Sequence, residues 1–206
     1  MKKDLLIFPY NGNALEAISC IGEQFNLIGC VDDTIEKQGL QANGINVFSR
    51  KAFEKYPHAL VLAVPGGPLS FSKREEIIIS LKLSVERFAK VIHPNAFVSS
   101  MATIGYNVLL MSGVVLTSNC VIGNHVCILP NSVIHHDSII GHHTLIGSNV
   151  TIAGYTKVGE NCYVGSGCNI INGIEIGSGA LIGMGANVIK SVPKNSKSVG
   201  NPAYIL

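Results

Sequence analysis

From Ile92 to Pro193 an Ile, Val or Leu returns at every sixth residue without a slip. The series opens Ile92, Val98, Ile104 and closes Ile176, Ile182, Val188, seventeen residues in one phase. Four residues past each of these comes a mostly small or β-branched side chain, as at Ala96, Val114, Cys120, Ser138, Thr156 and Ala186. Gly often follows the series residue directly, as at Gly105, Gly123, Gly141 and Gly165. This period is neither helical nor the simple alternation of a strand. It fits a parallel β-helix, in which each six-residue block supplies one short strand and one corner, and three blocks close a coil. Residues 18 apart in sequence then stack on one another. The branched side chains fill the interior, the small ones pack beside them where the walls converge, and Gly and Asn supply positive φ at the corners.

At 206 residues the chain holds one large or two small domains. Hydrophobic residues make up 47% of it and charged residues 14%, which suits long buried walls and an oligomer that covers a charge-poor prism face. The net charge of +2, without a basic run and with few aromatics, predicts no nucleic-acid partner. No apolar run is long enough to span a bilayer, and Met1–Asp4 leads straight into a strand, which predicts neither a membrane anchor nor a signal peptide. Cys120, Cys162 and Cys168 fall on the inward small position, Cys20 on a predicted helix and Cys30 at a strand end. The pattern predicts reduced core thiols in a cytoplasmic protein.

Ahead of the repeat, the sequence predicts strands over Asp4–Phe8, Asn26–Val31, Leu60–Val64 and Phe88–Ile92. Helices are predicted over Ala14–Phe25, over Ser49–Tyr56 with Ser49 as cap, and over Ser72–Leu83. The alternation predicts a small parallel α/β sheet over residues 1–90, followed by a β-helix over 91–193 and a tail over 194–206. Ligands of such sheets bind beyond the carboxyl ends of the strands. Three loops lie there: Pro9–Asn13, Asp32-Asp33 and Pro65–Gly67. The first holds only Gly12, so it reads as a plain turn or as a reduced phosphate loop. The aspartates read either as a solvated cap or as acceptors for a ribose or base N–H.

His136 and Asp137 take the third and fourth places of a block, at a corner, so His136 is predicted to point outward beside Ser118 and Gly154. A histidine with a carboxylate partner is a general base whose tautomer is fixed, and a Gly154 N–H would serve a developing oxyanion. The plain alternative is an exposed turn. The surrounding histidines diverge or sit a block apart, and no cysteine joins them at ligand spacing, so no metal is predicted.

The order of an α/β domain, a His93-Pro94 junction, the sixfold repeat and the closing Gly200-Asn201-Pro202-Ala203 resembles the sialic-acid O-acetyltransferase-like family, which includes N-acetyltransferases of nucleotide-linked 4-amino sugars. These are hexapeptide-repeat acyltransferases with a left-handed β-helix. The resemblance implies acetyl-CoA as cosubstrate, a homotrimer with active sites shared between subunits, and a nucleotide-linked amino sugar, here expected to be UDP-linked, in bacterial glycan biosynthesis. It implies His136 as base and Asp137 as its partner. Asn11, Gly12 and Asn13 would meet phosphates or sugar; Asp32, Asp33, Pro65 and Gly66 would meet the nucleotide. Gly154, Ser166 and Met184 would line the acetyl-CoA groove, with Leu145 by the thioester. The chain departs from the family pattern at Pro9, Ala14 and His135, at Leu129, where the family often has Asn, and at Leu145, where it often has His. Sugar O-acetylation and non-catalytic sugar-nucleotide binding are the competing functions.

Overall fold

The computed structural model describes residues 2–41 and 43–206; Met1, which opens the predicted leaderless start, lies outside them. Five strands, β1 (Lys3–Phe8), β2 (Phe25–Val31), β3 (Gly39–Leu40), β4 (Asn46–Phe48) and β5 (Leu60–Ala63), form one sheet in the order β3-β4-β2-β1-β5. All neighbours are parallel except β3, a short strand absent from the sequence reading, which runs against β4. The run Leu5-Leu6-Ile7-Phe8 is buried throughout, as a central parallel strand covered on both faces requires. Leu6 and Phe8 face Ala52, Phe53 and Ile78, whereas Leu5 and Ile7 face Ala14, Ala17 and the outer surface of the β-helix.

The α-helices among the described residues, α1 (Gly12–Ile18), α2 (Ala52–Lys55) and α3 (Arg74–Ile79), are shorter than the apolar spacing predicts. Helix α1 stops where the Ser19 hydroxyl donates back to the Glu16 carbonyl, which leaves Cys20 just beyond it. Ser49 does not cap α2: Lys51 stands at the N-cap without a side-chain bond. A 3₁₀ turn, Phe71–Lys73, takes the first turn of the predicted third helix. The predicted strand over Phe88–Ile92 is split, with Phe88 bridging Val61 in the first sheet and Val91–Ile92 pairing with Leu109–Leu110 in the β-helix.

Seventeen two-residue strands follow, from β6 (Val91–Ile92) to β22 (Asn187–Val188). Each pairs in parallel with the strand 18 residues away, as Ile122 does with Ile104 and Ile140. They form three walls of a prism. Wall 1 begins with Val91–Ile92, wall 2 with Phe97–Val98 and wall 3 with Thr103–Ile104. From Val108 onward the first and fifth block positions pack one continuous core. Buried hydroxyls at the fifth position are satisfied in a repeating way: Ser132, Ser138, Thr144 and Thr156 each donate to a carbonyl 15 residues on. The fourth block position has positive φ from Asn107 to Gly185, the left-handed corner that Asn, Asp and Gly tolerate. Past Val188 the chain stays in contact with the prism. Val192 bridges Ile176, Lys197–Gly200 extends wall 1 beside Leu181–Ile182, and Ala203–Ile205 folds back antiparallel on it. All six cysteines are free and buried. Cys127 faces the N-terminal domain rather than the prism interior.

The two domains share a core. Leu109, Met111, Cys127 and Leu145 of wall 1 and its edge pack with β1 and α1. The corner from wall 3 to wall 1 adds a polar seam. Asn107 accepts from Ala63 N–H at 2.7 Å, and its amide donates to Ala63 O and to His125 Nδ1 at 2.9 Å each. That bond makes His125 Nδ1 an acceptor, so the imidazole is neutral with its proton on Nε2. The His143 ring stacks on it, with centroids 4.6 Å apart. Burial, then the charge environment of His143, Arg74 and His142, pushes the His125 pKa down to about 3. Burial, then Arg74 and His142, lowers His143 to about 4, against a small opposing effect of Glu160.

Both folded values lie below the unfolded value of about 6.5, so in acid the unfolded chain binds more protons than the folded one. The seam's stability is whole above about pH 6.5 and is lost as pH falls towards about 4 and then 3. The unfolding midpoint is expected to drop between about pH 7 and 4, and His125→Gln to flatten that slope. Thermal denaturation of both proteins across this range checks it; equal slopes would contradict the assignment.

Candidate functional site

His136 stands on the corner between walls 2 and 3, in the turn that follows Val133–Ile134. The corner turns its ring outward, as the repeat predicts, and the side chain is about half exposed, at 51%. Nδ1 lies 2.8 Å from Asp137 Oδ2, and the other carboxylate oxygen accepts from Asn119 Nδ2 at 3.1 Å. Asp137 takes the left-handed fourth position at φ +58°, and Asn119 occupies the equivalent place one coil earlier. The bond from His136, then that from Asn119, holds the Asp137 carboxyl below its usual range. An ionised carboxylate on Nδ1 fixes the proton there and leaves the Nε2 lone pair open. Tyr155, one coil later, meets the His136 ring edge-on at 5.1 Å.

Gly154 makes room for this ring. A methyl group there would sit 2.6 Å from His136 Cε1 and 2.7 Å from Nε2. At other corners the third-position side chain of the next coil accepts the N–H of the coil before it, as Ser166 Oγ does from Ser148 and His142 Nδ1 from Asn124. Gly154 has no such side chain, and the imidazole fills the space instead. Asn119 and Tyr155 were missed in the sequence, although each lies 18 residues from Asp137 and the stacking rule alone points to them.

The predicted nucleotide loops lie together. Asn11 caps α1 through Ala14 N–H at 2.9 Å and donates to Val64 O at 3.3 Å. Asn13 donates to Gly66 O at 3.3 Å, so the Pro9–Asn13 and Pro65–Gly67 loops are tied side by side. Gly12 has open space where a side chain would be. Asp32 is tied into the fold of its own loop. It is buried, and its oxygens accept from Tyr10 N–H, Thr34 N–H and Lys37 Nζ at 3.0, 2.9 and 3.1 Å. Burial pushes its carboxyl up, but the bonds from Thr34 and Lys37 outweigh that and hold it below the usual range. Asp33 is exposed and forms a two-pronged pair with Arg50, both contacts at 2.7 Å.

The predicted cofactor residues are divided within one chain. Gly154 shares the corner of His136, whereas Ser166 and Met184 stack on the corner between walls 1 and 2, with Met184 78% exposed. Leu145 lies on wall 1, the wall opposite the His136 corner in a triangular section. It is buried against the N-terminal domain and lines a cavity of ≈ 80 Å³ with Asn13, Gly66, Gly67, Leu129 and Tyr163. The Pro9–Asn13 and Pro65–Gly67 loops thus meet Leu129 and Leu145, on the wall opposite His136 of the same chain. Among the described residues no group of three or more His, Cys, Asp or Glu is placed to hold a metal, and no helix is long and apolar enough to cross a membrane.

The family model described as bacterial transferase hexapeptide (six repeats) matches residues 101–135, 119–154 and 155–190. Residues 101–190 are thus similar to the hexapeptide-repeat transferases. Solved structures share this fold over the whole chain. A variant of perosamine N-acetyltransferase from Caulobacter crescentus, in complex with CoA and GDP-perosamine, is 22% identical with a TM-score of 0.87 over 100% of this chain and 97% of its own. The acetyltransferase domain of PglB from Neisseria gonorrhoeae, with acetyl coenzyme A, is 23% identical with a TM-score of 0.86, and WeeI from Acinetobacter baumannii is 27% identical with 0.84. Both matches cover 100% of each chain. The fold of the chain is therefore an α/β domain followed by a left-handed β-helix. No curated protein matches the chain by sequence.

The geometry at Asp137 predicts that long-range ¹H–¹⁵N NMR at neutral pH finds the Nδ1–H tautomer at His136. Asp137→Asn keeps a residue that tolerates positive φ but offers an amide, and is expected to shift His136 toward Nε2–H. An unchanged tautomer would remove Asp137 as its orienting partner.

Proposed function

We propose that the protein transfers the acetyl group of acetyl-CoA to the amino group of a nucleotide-linked 4-amino sugar, with His136 as general base. The observation that carries this reading is the outward imidazole whose Nδ1 is held by Asp137 while Nε2 stays open above Gly154. The full-length likeness to structures that bind CoA, acetyl coenzyme A and GDP-perosamine supports the substrate pair.

In the reaction, the amine nitrogen attacks the thioester carbonyl and its proton passes to His136 Nε2. The carbon–sulfur bond then breaks, coenzyme A leaves as the thiolate, and the imidazolium returns the proton to it. Asp137 holds the ring and stabilises its charged form. Among the described residues no hydrogen-bond acceptor meets the Gly154 N–H, which leaves it free for the oxyanion. Among the described residues no cysteine or serine side chain is paired with the His136 ring, which favours direct transfer over an acyl-enzyme.

The nucleotide sugar would lie on Asn11, Gly12, Asn13, Asp33, Pro65 and Gly66, with Asp32 supporting this surface from beneath. The acceptor amine would reach the cavity at Leu129 and Leu145. Because His136 lies across the prism from that cavity, the site is completed by a second subunit. The outward side chains of wall 2 are Phe97, Val115, Val133, Thr151, Asn169 and Asn187, an uncharged face suited to a threefold axis. With wall 2 turned to the axis, the His136–Gly154 corner of one subunit would meet the Ser166–Met184 corner and the cavity of the next, a head-to-tail contact that closes in three. Acetyl-CoA would run along that shared groove.

The test is thiol release with mass detection of product, using acetyl-CoA and a panel of UDP-, GDP- and dTDP-linked amino and hydroxy sugars. Uridine is the nucleotide expected from the family resemblance, and guanosine is the one bound by the C. crescentus neighbour. A gain of one acetyl group on a 4-amino sugar is expected, and His136→Ala is expected to cut turnover about 10²- to 10⁴-fold with folding intact. Transfer to hydroxyls alone would replace N- with O-acetylation. Binding of nucleotide sugar without transfer to any acceptor would leave a non-catalytic binder.

A further inference from the structure

Arg74 is the first residue of α3 and is completely buried, at 0% exposure. Among the described residues no carboxylate pairs with it, and its guanidinium donates to backbone carbonyls. Nε reaches His143 O at 3.0 Å, one terminal nitrogen reaches His125 O at 2.7 Å, and the other reaches Pro65 O. Those carbonyls belong to two successive coils of the prism and to the loop beyond β5. Burial lowers its pKa to about 10, so the group is charged at neutral pH.

A lone buried guanidinium is a costly way to join two domains. Apolar packing of similar volume usually serves stability as well or better, and the apolar contacts of wall 1 with β1 and α1 already provide it here. What the guanidinium adds is direction: a rigid planar fork whose N–H groups are fixed relative to one another. It locks the Pro65 carbonyl to the prism corner. The neighbouring Gly66 is shaped to it, because at φ +99° a Cβ there would lie 2.8 Å from Arg74 Cγ. Gly66 O in turn receives the Asn13 amide. Arg74 thus stands behind both walls of the cavity that Asn13, Gly66 and Leu145 line.

We propose that Arg74 is a positioning residue for the nucleotide-sugar acceptor: it sets the Pro65–Gly67 loop against the prism without touching substrate. The inference rests on the acceptor site placed at this loop under the proposed function. Arg74→Lys keeps the charge but loses the fork, and it is compared with wild type on three readouts. The acceptor KM is expected to rise on the order of tenfold or more, as loss of a charge-assisted bond implies, with the acetyl-CoA KM unchanged. Amide hydrogen exchange at Gly66 and Gly67 is expected to accelerate, a readout that needs no activity. Circular dichroism and the oligomeric state are expected to match wild type. Should Arg74→Lys not fold, Gly66→Ala presses on the same contact from the loop side and carries the same expectations. An acceptor KM within twofold of wild type, or equal changes for both substrates, would overturn the positioning role. A wild-type protein that acetylates nothing in the panel would instead sink the proposed function, and faster exchange in the variant would still report the Arg74 lock.

Discussion

Parallel pairing between residues 18 apart is the constraint on which everything else in this molecule rests. No two-residue strand is stable alone, so each block takes its conformation from the coils above and below. A slip by one residue would turn the branched side chains outward, and the unbroken phase from Ile92 to Val188 rules that out. The corners are then fixed by arithmetic. Whatever stands third in a block lies at a corner, and from Asn107 to Gly185 whatever stands fourth takes positive φ. His136 and Asp137 are placed by this rule, and the stacking of Asn119, Asp137 and Tyr155 follows from it.

The N-terminal domain is an added layer on wall 1 rather than a bead on a linker. Its sheet buries Leu5 and Ile7 under the prism, and its loops are fastened at Asn107 and Arg74. A site divided between these loops and a prism corner needs that rigidity, because an acceptor held on one body must meet a base held on another. Side-chain amides, imidazoles and one guanidinium do the fastening, and they bond almost entirely to backbone, which leaves the geometry independent of neighbouring side-chain rotamers.

Much of this was legible in the sequence, and for identifiable reasons. The hexad is a strong signal because it repeats. The outward His136 and the gap at Gly154 both follow from counting in sixes. The N-terminal domain is less legible. The strands β3 and β4 are too short to announce themselves, and α1 ends early because Ser19 turns back on Glu16. Asp32 reads as a ligand group but is consumed by Tyr10, Thr34 and Lys37, contacts that only the folded loop creates. Arg74 looks like an ordinary charged residue opening an exposed helix. The place of Leu145 on the wall across from His136 becomes visible only when the coil is closed.

The same arithmetic governs how such a chain can change in length. Removing or adding a single residue in the prism would put every later block out of phase. A whole coil of 18 residues, by contrast, could be gained or lost with each wall intact, and the tip would move by about 4.8 Å, one strand spacing. Distances along the axis, such as that from the His136 corner to the cap formed by Lys197–Ile205, are therefore quantised. A molecule built this way reaches a longer or shorter ligand in discrete steps.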